Sequence, residues 1–412
     1  MRRSVNLPRF IASRIRSRTE RRSFSSTVTR IGIASIAIGL AVMMVAFAVL
    51  FGFQGTVREK LFSLSAHMKV TRYTLNQSYE ETALPRYSRL SRSYKTLPDI
   101  AHFQMVAHKA GILQTDEAVQ GVLLKGVGPD FNWKSFGQNL TEGRLPEFGK
   151  DTTDSKEILI SRSIANQLQL KTGDKVTLII MQYPPRPRRL TVTGIYDTGL
   201  EELDKQLIIG DLRLVQKLNK WGPDTVGGYE IFVKDFDRID QAVGQVSKLL
   251  EHDQDLHSVV KEYRALFDWL GMLDRNLGVF LTLILFVACF NMVSILLVLI
   301  MERIPMIGLL KALGSPNWQI RKIFLWQAVS MILKGLLFGN ILGVGLCLVQ
   351  QYFRVIPLDP ENYYMSYVPI DMHWEIVVML NLATLLLVLL VLTIPTFVIS
   401  RMKPVEAIRF SK

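Results

Sequence analysis

Asn276-Leu-Gly-Val-Phe-Leu-Thr-Leu-Ile-Leu-Phe-Val-Ala-Cys-Phe-Asn-Met-Val-Ser-Ile-Leu-Leu-Val-Leu-Ile-Met301 runs without a single charged side chain. A helix needs about 20 apolar residues to cross roughly 30 Å of hydrocarbon, and this run is long enough. Three more uncharged stretches stand around it: Ile31–Val57, Gly335–Phe353 and Ile376–Ser400. They explain why a 412-residue chain can be 49% hydrophobic and only 21% charged. A soluble domain of that size would carry more charge, and a disordered chain would carry far less apolar surface. The reading is a membrane protein with four spans. The first stretch is read as a retained span: an Arg-rich, polar segment of 30 residues precedes it, and no small-residue cleavage pattern follows Phe53.

The charges set the orientation. Residues 1–30 carry nine Arg and one Glu, residues 302–322 four basic side chains and one acid, and residues 401–412 four and one. Residues 354–375 carry one basic side chain and four acids, while residues 54–275 are almost balanced, with 30 basic and 29 acidic. Lys/Arg excess marks cytoplasmic loops. The expected order is therefore a cytoplasmic segment 1–30, a first span 31–53, an extracytoplasmic domain 54–275 and a second span 276–301. A cytoplasmic loop 302–322, a third span 323–353, an outer loop 354–375, a fourth span 376–400 and a cytoplasmic tail 401–412 follow. The net charge of +13 belongs to this topology and not to a folded basic face, which argues against a nucleic-acid partner. Both cysteines, Cys289 and Cys347, fall in spans, so the outer domain folds without disulfides.

That domain reads as α+β. Phe103–Thr115 and Ala118–Val127 form β-rich runs around Asp116-Glu117. Glu157–Ser161, Val176–Gln182, Arg189–Tyr196, Leu207–Ile209 and Tyr229–Val233 read as further strands, and Ser163–Leu170 and Arg238–Leu250 as helices. Tyr183–Arg188 is a proline-rich tip. There Arg186, Arg188 and Arg189 either meet an acidic partner outside the membrane or decorate a solvated hairpin end.

Catalytic motifs are missing. Gly143 to Gly149-Lys150 has one residue too many for a phosphate loop and is followed by Asp151 in place of the magnesium-binding hydroxyl. The His102/His108 and His252/His257 pairs lack the i, i+4 spacing of a helical zinc site, and no G-x-S-x-G elbow occurs. No catalytic residue, metal site or bound cofactor is expected on this chain.

The informative cytoplasmic segment is Glu302-Arg-Ile-Pro-Met-Ile-Gly-Leu-Leu-Lys-Ala-Leu-Gly-Ser315. Pro305 suits a first helical turn and Gly314 a stop. A helix of about nine residues results, with Met306, Ile307, Leu309, Leu310 and Leu313 around most of its circumference. It either fits a groove on a partner or rests in the headgroup layer. In the third span Gly335, Gly339 and Gly343 share one face, for packing within the chain or at a seam with a second chain. Met43, Met44, Phe47 and Phe51 on the first span, with Phe280, Phe286 and Phe290 on the second, either line an acyl-chain site or face lipid. Lys334 either snorkels to the cytoplasmic surface or binds lipid or a partner.

Residues 302–343 resemble the four-span ABC-transporter permease family that includes FtsX and MacB. Arg303 to Ser315 is similar to its R-E-I-G-x-L-[KR]-A-[LM]-G-A coupling loop, and Arg401-Met-Lys-Pro-Val-Glu-Ala-Ile-Arg409 to its C-terminal ending. The LolC/LolE branch, permeases of lipoprotein-releasing ABC transporters, is the nearer likeness. Its features are matched by Phe10–Arg18, by Val49-Leu-Phe-Gly-Phe-Gln54, and by Asp174–Thr177 with Val192–Leu200. Cys289-Phe-Asn-Met-Val-Ser294 and Tyr363-Tyr-Met-Ser-Tyr-Val-Pro369 complete the likeness, which runs over nearly the whole chain.

The resemblance implies a non-catalytic permease in the bacterial inner membrane, coupled through Arg303, Met306, Ile307, Gly308, Leu309, Leu310, Lys311, Leu313 and Gly314 to a separate LolD-like ATPase. That subunit would hold ATP and Mg²⁺. A second permease chain, identical or LolC/LolE-like, a lipoprotein substrate and a LolA-like carrier are the other implied partners. The branch's carrier-binding hook corresponds here to the short turn Tyr183–Arg188. The rival readings are a MacB-like exporter, which usually carries a fused ATPase domain, and an FtsX-like transmitter that moves no substrate and typically has a smaller outer domain.

Overall fold

The computed structural model describes residues 24–74, 80–148, 154–180, 186–359, 363 and 365–401. The expected basic segment 1–30 lies mostly outside these residues, and the tail 401–412 lies outside them except for Arg401. The chain forms two compact units. A membrane unit comprises residues 1–55, 270–357 and 367–412, and an inserted unit comprises residues 56–269 and 358–366.

Among the described residues four helices are long and apolar enough to cross a membrane: Phe24–Leu64, Arg264–Glu302, Asn317–Phe353 and Trp374–Arg401. This is a multi-pass membrane protein. The first three helices outrun the uncharged stretches that announced them. Arg58-Glu59-Lys60 continues the first helix to Leu64, and the second begins at Arg264, well before Asn276. Loss of hydropathy marks the edge of the hydrocarbon, whereas a helix goes on wherever its backbone stays bonded and its side chains find water or packing.

The membrane unit packs around the first helix. Ile36, Leu40, Met43 and Met44 meet Met292, Ile295 and Leu296 of the second helix and Phe324, Met331, Ile332 and Leu336 of the third in one buried cluster. The third and fourth helices are joined by a reciprocal amide pair. Asn340 Nδ2 donates to Asn381 Oδ1 at 2.8 Å, and Asn381 Nδ2 returns a bond to Asn340 Oδ1 at 3.0 Å. Each amide also donates to the carbonyl one turn back, so two polar side chains sit among apolar helices with their donors satisfied. Pro395 lies within the fourth helix, which continues past it to Arg401. Lys334 is exposed on the third helix.

In the inserted unit twelve strands are described: β1 (Met68–Arg72), β2 (Leu84–Pro85), β3 (Ile100–Gln114), β4 (Val119–Val127), β5 (Leu140–Gly143), β6 (Glu157–Ser161), β7 (Lys175–Ile180), β8 (Arg186–Tyr196), β9 (Leu207–Asp211), β10 (Thr225–Val226), β11 (Gly228–Val233) and β12 (Gln254–Ser258). The main sheet runs β12-β1-β11-β3-β4-β9-β6-β8-β5, with β7 laid against β3 and β8, while β2 and β10 pair separately. The β3–β4 hairpin closes at Asp116-Glu117, where Thr115 N donates to the Ala118 carbonyl at 3.0 Å.

Two helices cover one face. Ser161 Oγ accepts from Ile164 N at 3.1 Å and starts Arg162–Leu168, and Asp211 Oδ1 accepts from Arg213 N at 2.9 Å and starts Leu212–Asn219. Their Ile164, Leu168, Leu212, Val215 and Leu218 pack on Val122, Leu124, Ile158 and Ile208. The opposite face buries Leu64, Val106, Val127, Phe136, Leu159 and Tyr196.

Several expected ends move. The helix expected over Ser163–Leu170 is Arg162–Leu168, because Gln169 turns left-handed at φ 54°. Arg238–Leu250 resolves into a 3₁₀ turn, Phe236–Arg238, followed by the helix Ile239–Ser247. β8 begins at Arg186 instead of Arg189, which corrects the expected extent of the tip. Residues 186–190 pair only with β7, so Pro187 sits where its missing N–H costs no ladder bond. Residues 181–185 of the expected tip lie outside the described residues.

Candidate functional site

The short helix between the second and third spans is Ile304–Ala312. Pro305 lies in its first turn, where an N–H has no intrahelical acceptor anyway. It ends in a left-handed stop at Gly314, φ +84°. Ser315 N donates to the Leu310 carbonyl and Gly314 N to the Lys311 carbonyl, each at 3.0 Å. This pair of bonds satisfies carbonyls that the last turn leaves open, and glycine takes the backbone angle without strain.

The structure divides the expected coupling residues by what they touch. Ile307 and Gly308 are buried, with Ile307 inside the core of the membrane unit and Met306 and Leu310 packed against it. Arg303 and Lys311 are half-buried, and Gly314 is exposed. Leu309 and Leu313 point away, 59% and 76% exposed, with Pro305 and Ala312 exposed beside them. Positions i, i+4, i+7 and i+8 make one continuous stripe. The helix is thus clamped to the bundle on one side and presents an unburied apolar edge on the other.

The three glycines of the third span abut the first helix. A Cβ at Gly335 would lie 2.7 Å from Ile36 Cβ, one at Gly339 2.9 Å from the Ala37 carbonyl oxygen, and one at Gly343 3.2 Å from Ala41 Cα. Their face is filled by this chain's own first span.

The acyl-chain candidates do not gather at one place. Met43 is buried in the bundle core. Met44, Phe47 and Phe51 line a crevice completed by Asp371, His373, Ile376 and Leu380. Phe47 stacks on Phe51 at 5.9 Å, and Phe51 meets the edge of His373 at 5.3 Å. Phe280, Phe286 and Phe290 stand on the outward face of the second helix, 64%, 70% and 67% exposed. On the inserted unit Arg188 and Arg189 are exposed in β8, and the side chain of Arg186 lies outside the described residues.

The sequence reading missed a buried polar cluster in the inserted unit. Lys125 Nζ and Glu230 Oε1 are 2.7 Å apart, and Gln104 Nε2 donates to Glu230 Oε2 at 2.7 Å. Beside them Glu81 Oε1 lies 2.7 Å from Lys69 Nζ and 2.5 Å from His108 Nδ1. The His108 ring and the Lys69 ammonium beside it hold the Glu81 carboxyl well below its usual range against the cost of its burial, while burial lowers the pKa of His108 itself, so Lys69 supplies the lasting positive charge. The signal was present, since Lys125 interrupts Val122-Leu-Leu-Lys-Gly-Val127 and Glu230 interrupts Gly228-Tyr-Glu-Ile-Phe-Val233. A charge that such a strand carries into the interior has to be paired and hydrogen-bonded there.

A family model described as the MacB-like periplasmic core domain matches residues 31–249, more than half of the chain. The chain belongs to that family. In this MacB-like chain a second model, the FtsX-like permease C-terminal region, matches residues 278–404, which include the short helix and its stripe. The chain is similar to the lipoprotein-releasing system transmembrane protein LolC of Xylella fastidiosa, 25% identical over 95% of each chain. It is also similar to the LolC protein of Neisseria meningitidis serogroup B, 26% identical over 98% of this chain and 99% of that one. The LolE protein of Haemophilus influenzae is 23% identical with the same coverage. Both arms of the architecture, the sheet-rich inserted unit and the helical region after it, therefore carry the family's stamp.

Proposed function

We propose that this chain is the transmembrane permease subunit of a lipoprotein-releasing ABC transporter in the bacterial inner membrane. The inserted unit faces the periplasm and both termini face the cytoplasm, an orientation that the Lys/Arg excess of residues 1–30, 302–322 and 401–412 supports. A separate LolD-like subunit binds ATP and Mg²⁺ and hydrolyses the nucleotide, while this chain supplies no catalytic group. A second permease chain completes the membrane part, and a LolA-like carrier receives the lipoprotein. End-to-end similarity to proteins named for lipoprotein release supports this reading over an exporter or a signal transmitter, which share only the superfamily.

The observation that carries the reading is the divided helix Ile304–Ala312. Ile307 and Gly308 fix it to the spans, and Leu309 and Leu313 leave a stripe that water does not favour. Covering two leucines is worth about 1.5–3 kcal/mol each, enough to seat the helix in an apolar groove on the ATPase. Movement of that groove then pulls on Ile307 and, through it, on the second and third spans.

The test changes only the exposed edge. Leu309→Asp with Leu313→Asp should leave the chain folded in the membrane, abolish co-purification of the ATPase, and strand outer-membrane lipoproteins in the inner membrane. Retained ATPase binding would remove the coupling role. Lost binding with normal lipoprotein sorting and a cell-separation defect would favour the FtsX-like transmitter.

A further inference from the structure

Lys125 is 2% exposed, yet its ammonium is fully engaged. It donates to the Leu64 carbonyl at 2.7 Å, pairs with Glu230 Oε1 at 2.7 Å and lies 5.9 Å from the centre of the Phe131 ring. Leu64 is the last residue of the first span's helix, and its carbonyl is among the four that a helix end leaves without an intrahelical donor. A cation placed there also meets the negative end of the helix dipole.

Three strands aim that ammonium. Lys125 lies in β4, Glu230 in β11 and Gln104 in β3, with Glu230 directly opposite Gln104 in the ladder. Gln104 holds the carboxylate through Nε2, and its own Oε1 accepts from Asn132 N at 3.0 Å. One residue past the helix end, Ser65 Oγ and Tyr263 Oη are 3.2 Å apart, and Tyr263 immediately precedes the second span's helix at Arg264. The ends of both long helices thus meet beside one buried cation. A buried ion pair is a weak source of net stability, because desolvation consumes most of the attraction. What this one supplies is a unique register, since the carboxylate and the helix-end carbonyl are both satisfied only with the ammonium between them.

We propose that Lys125 is a positioning residue through which displacement of the first span's helix is handed to the sheet of the inserted unit, with Glu230 and Gln104 holding its ammonium in line. The proposal rests on the permease reading above.

The experiment uses the full chain with its ATPase and partner permease in proteoliposomes loaded with a triacylated lipoprotein. Lys125→Met with Glu230→Gln removes both charges, leaves no unpaired ion and keeps an amide for Gln104. Lipoprotein released per ATP hydrolysed should fall about tenfold, within the range that coupling mutations reach, while ATP hydrolysis and the melting temperature stay near those of the wild type. Unchanged release per ATP in the folded variant would overturn the proposal. A wild-type complex that hydrolyses ATP but releases no lipoprotein would instead sink the permease reading, and the proposal with it.

A second measurement needs no variant. On adding ATP to the wild-type complex, hydrogen exchange should change together at residues 61–66, in β4 and in β11. A response confined to the helix end would overturn the proposal.

Discussion

At the scale of single residues, Asp204 shows how burial writes a pH dependence into the inserted unit. Its carboxylate accepts from Thr198 Oγ1 at 2.8 Å and from Thr198 N and Gly199 N at 3.1 Å each. Desolvation nevertheless dominates, with Asp197 adding repulsion, and lifts its pKa to about 6. His67 is the counterpart. Buried against the rings of Phe62 and Phe236, it accepts from Val233 N at 2.9 Å through Nδ1, and burial lowers its pKa to about 4. The signs oppose. The folded state holds the Asp204 proton that the unfolded chain releases near pH 4, so this contribution is full below that pH and is lost as pH rises to about 6. The His67 contribution is full above about 6.5 and is lost as pH falls to about 4. Asp204→Asn, whose amide can still accept the two N–H bonds, should therefore melt higher than wild type at pH 7 and no higher at pH 3.5. The gain is on the order of 2 kcal/mol. Equal melting shifts at both values, followed in detergent by tryptophan fluorescence, would show that burial does not raise the pKa of this carboxyl.

At the scale of elements, what could be read in advance followed from whether a segment's pattern was its own or borrowed from neighbours. The spans, the Ile304–Ala312 helix and the β3–β4 hairpin carry their patterns internally, as length without charge, proline before glycine, and apolar runs around a polar turn. β12 does not. Gln254-Asp-Leu-His-Ser258 is a polar edge strand that exists because β1 offers it a ladder. The helix Leu212–Asn219 was overlooked because its eight residues are too few for a period to declare itself, and the Asp211 cap that starts it also ends β9. The candidate site was legible as a helix but not as a division of faces, since apolar residues ring it and only contacts reveal which side is buried. The glycine face was legible as a packing surface, with its partner left open. That partner makes a paired test. Gly339→Ala would press a Cβ against the Ala37 carbonyl oxygen and Leu40, neither of which can swing aside. Gly345 meets no neighbouring atom within 4 Å. Gly339→Ala should cost about 1–3 kcal/mol by overpacking, while Gly345→Ala should be neutral or gain up to ~1 kcal/mol from helix propensity. Melting of the detergent-solubilised chain distinguishes them, and equal tolerance of both would refute close approach of the first and third spans.

At the scale of the whole molecule, the chain order imposes a constraint that the charges then orient. The proposed topology has one crossing, Arg264–Glu302, between the inserted unit and the helix Ile304–Ala312, and so predicts that they face opposite sides of the bilayer. Which face is which depends on the basic excess of residues 1–30 and 302–322 against the near balance of residues 54–275. The two native cysteines are buried in spans, giving a low background for thiol labelling. Asp116 sits exposed at the β3–β4 turn, and Ser315 follows the stop of the short helix. In spheroplasts, a membrane-impermeant maleimide should label Asp116→Cys at once and Ser315→Cys only after the membrane is opened. Reversal of the two patterns would put the Leu309–Leu313 stripe on the side without ATP, where no nucleotide-driven subunit could grip it. The charge asymmetry would then need another cause. Labelling of both sites in sealed spheroplasts would instead break the single-crossing assignment of Arg264–Glu302.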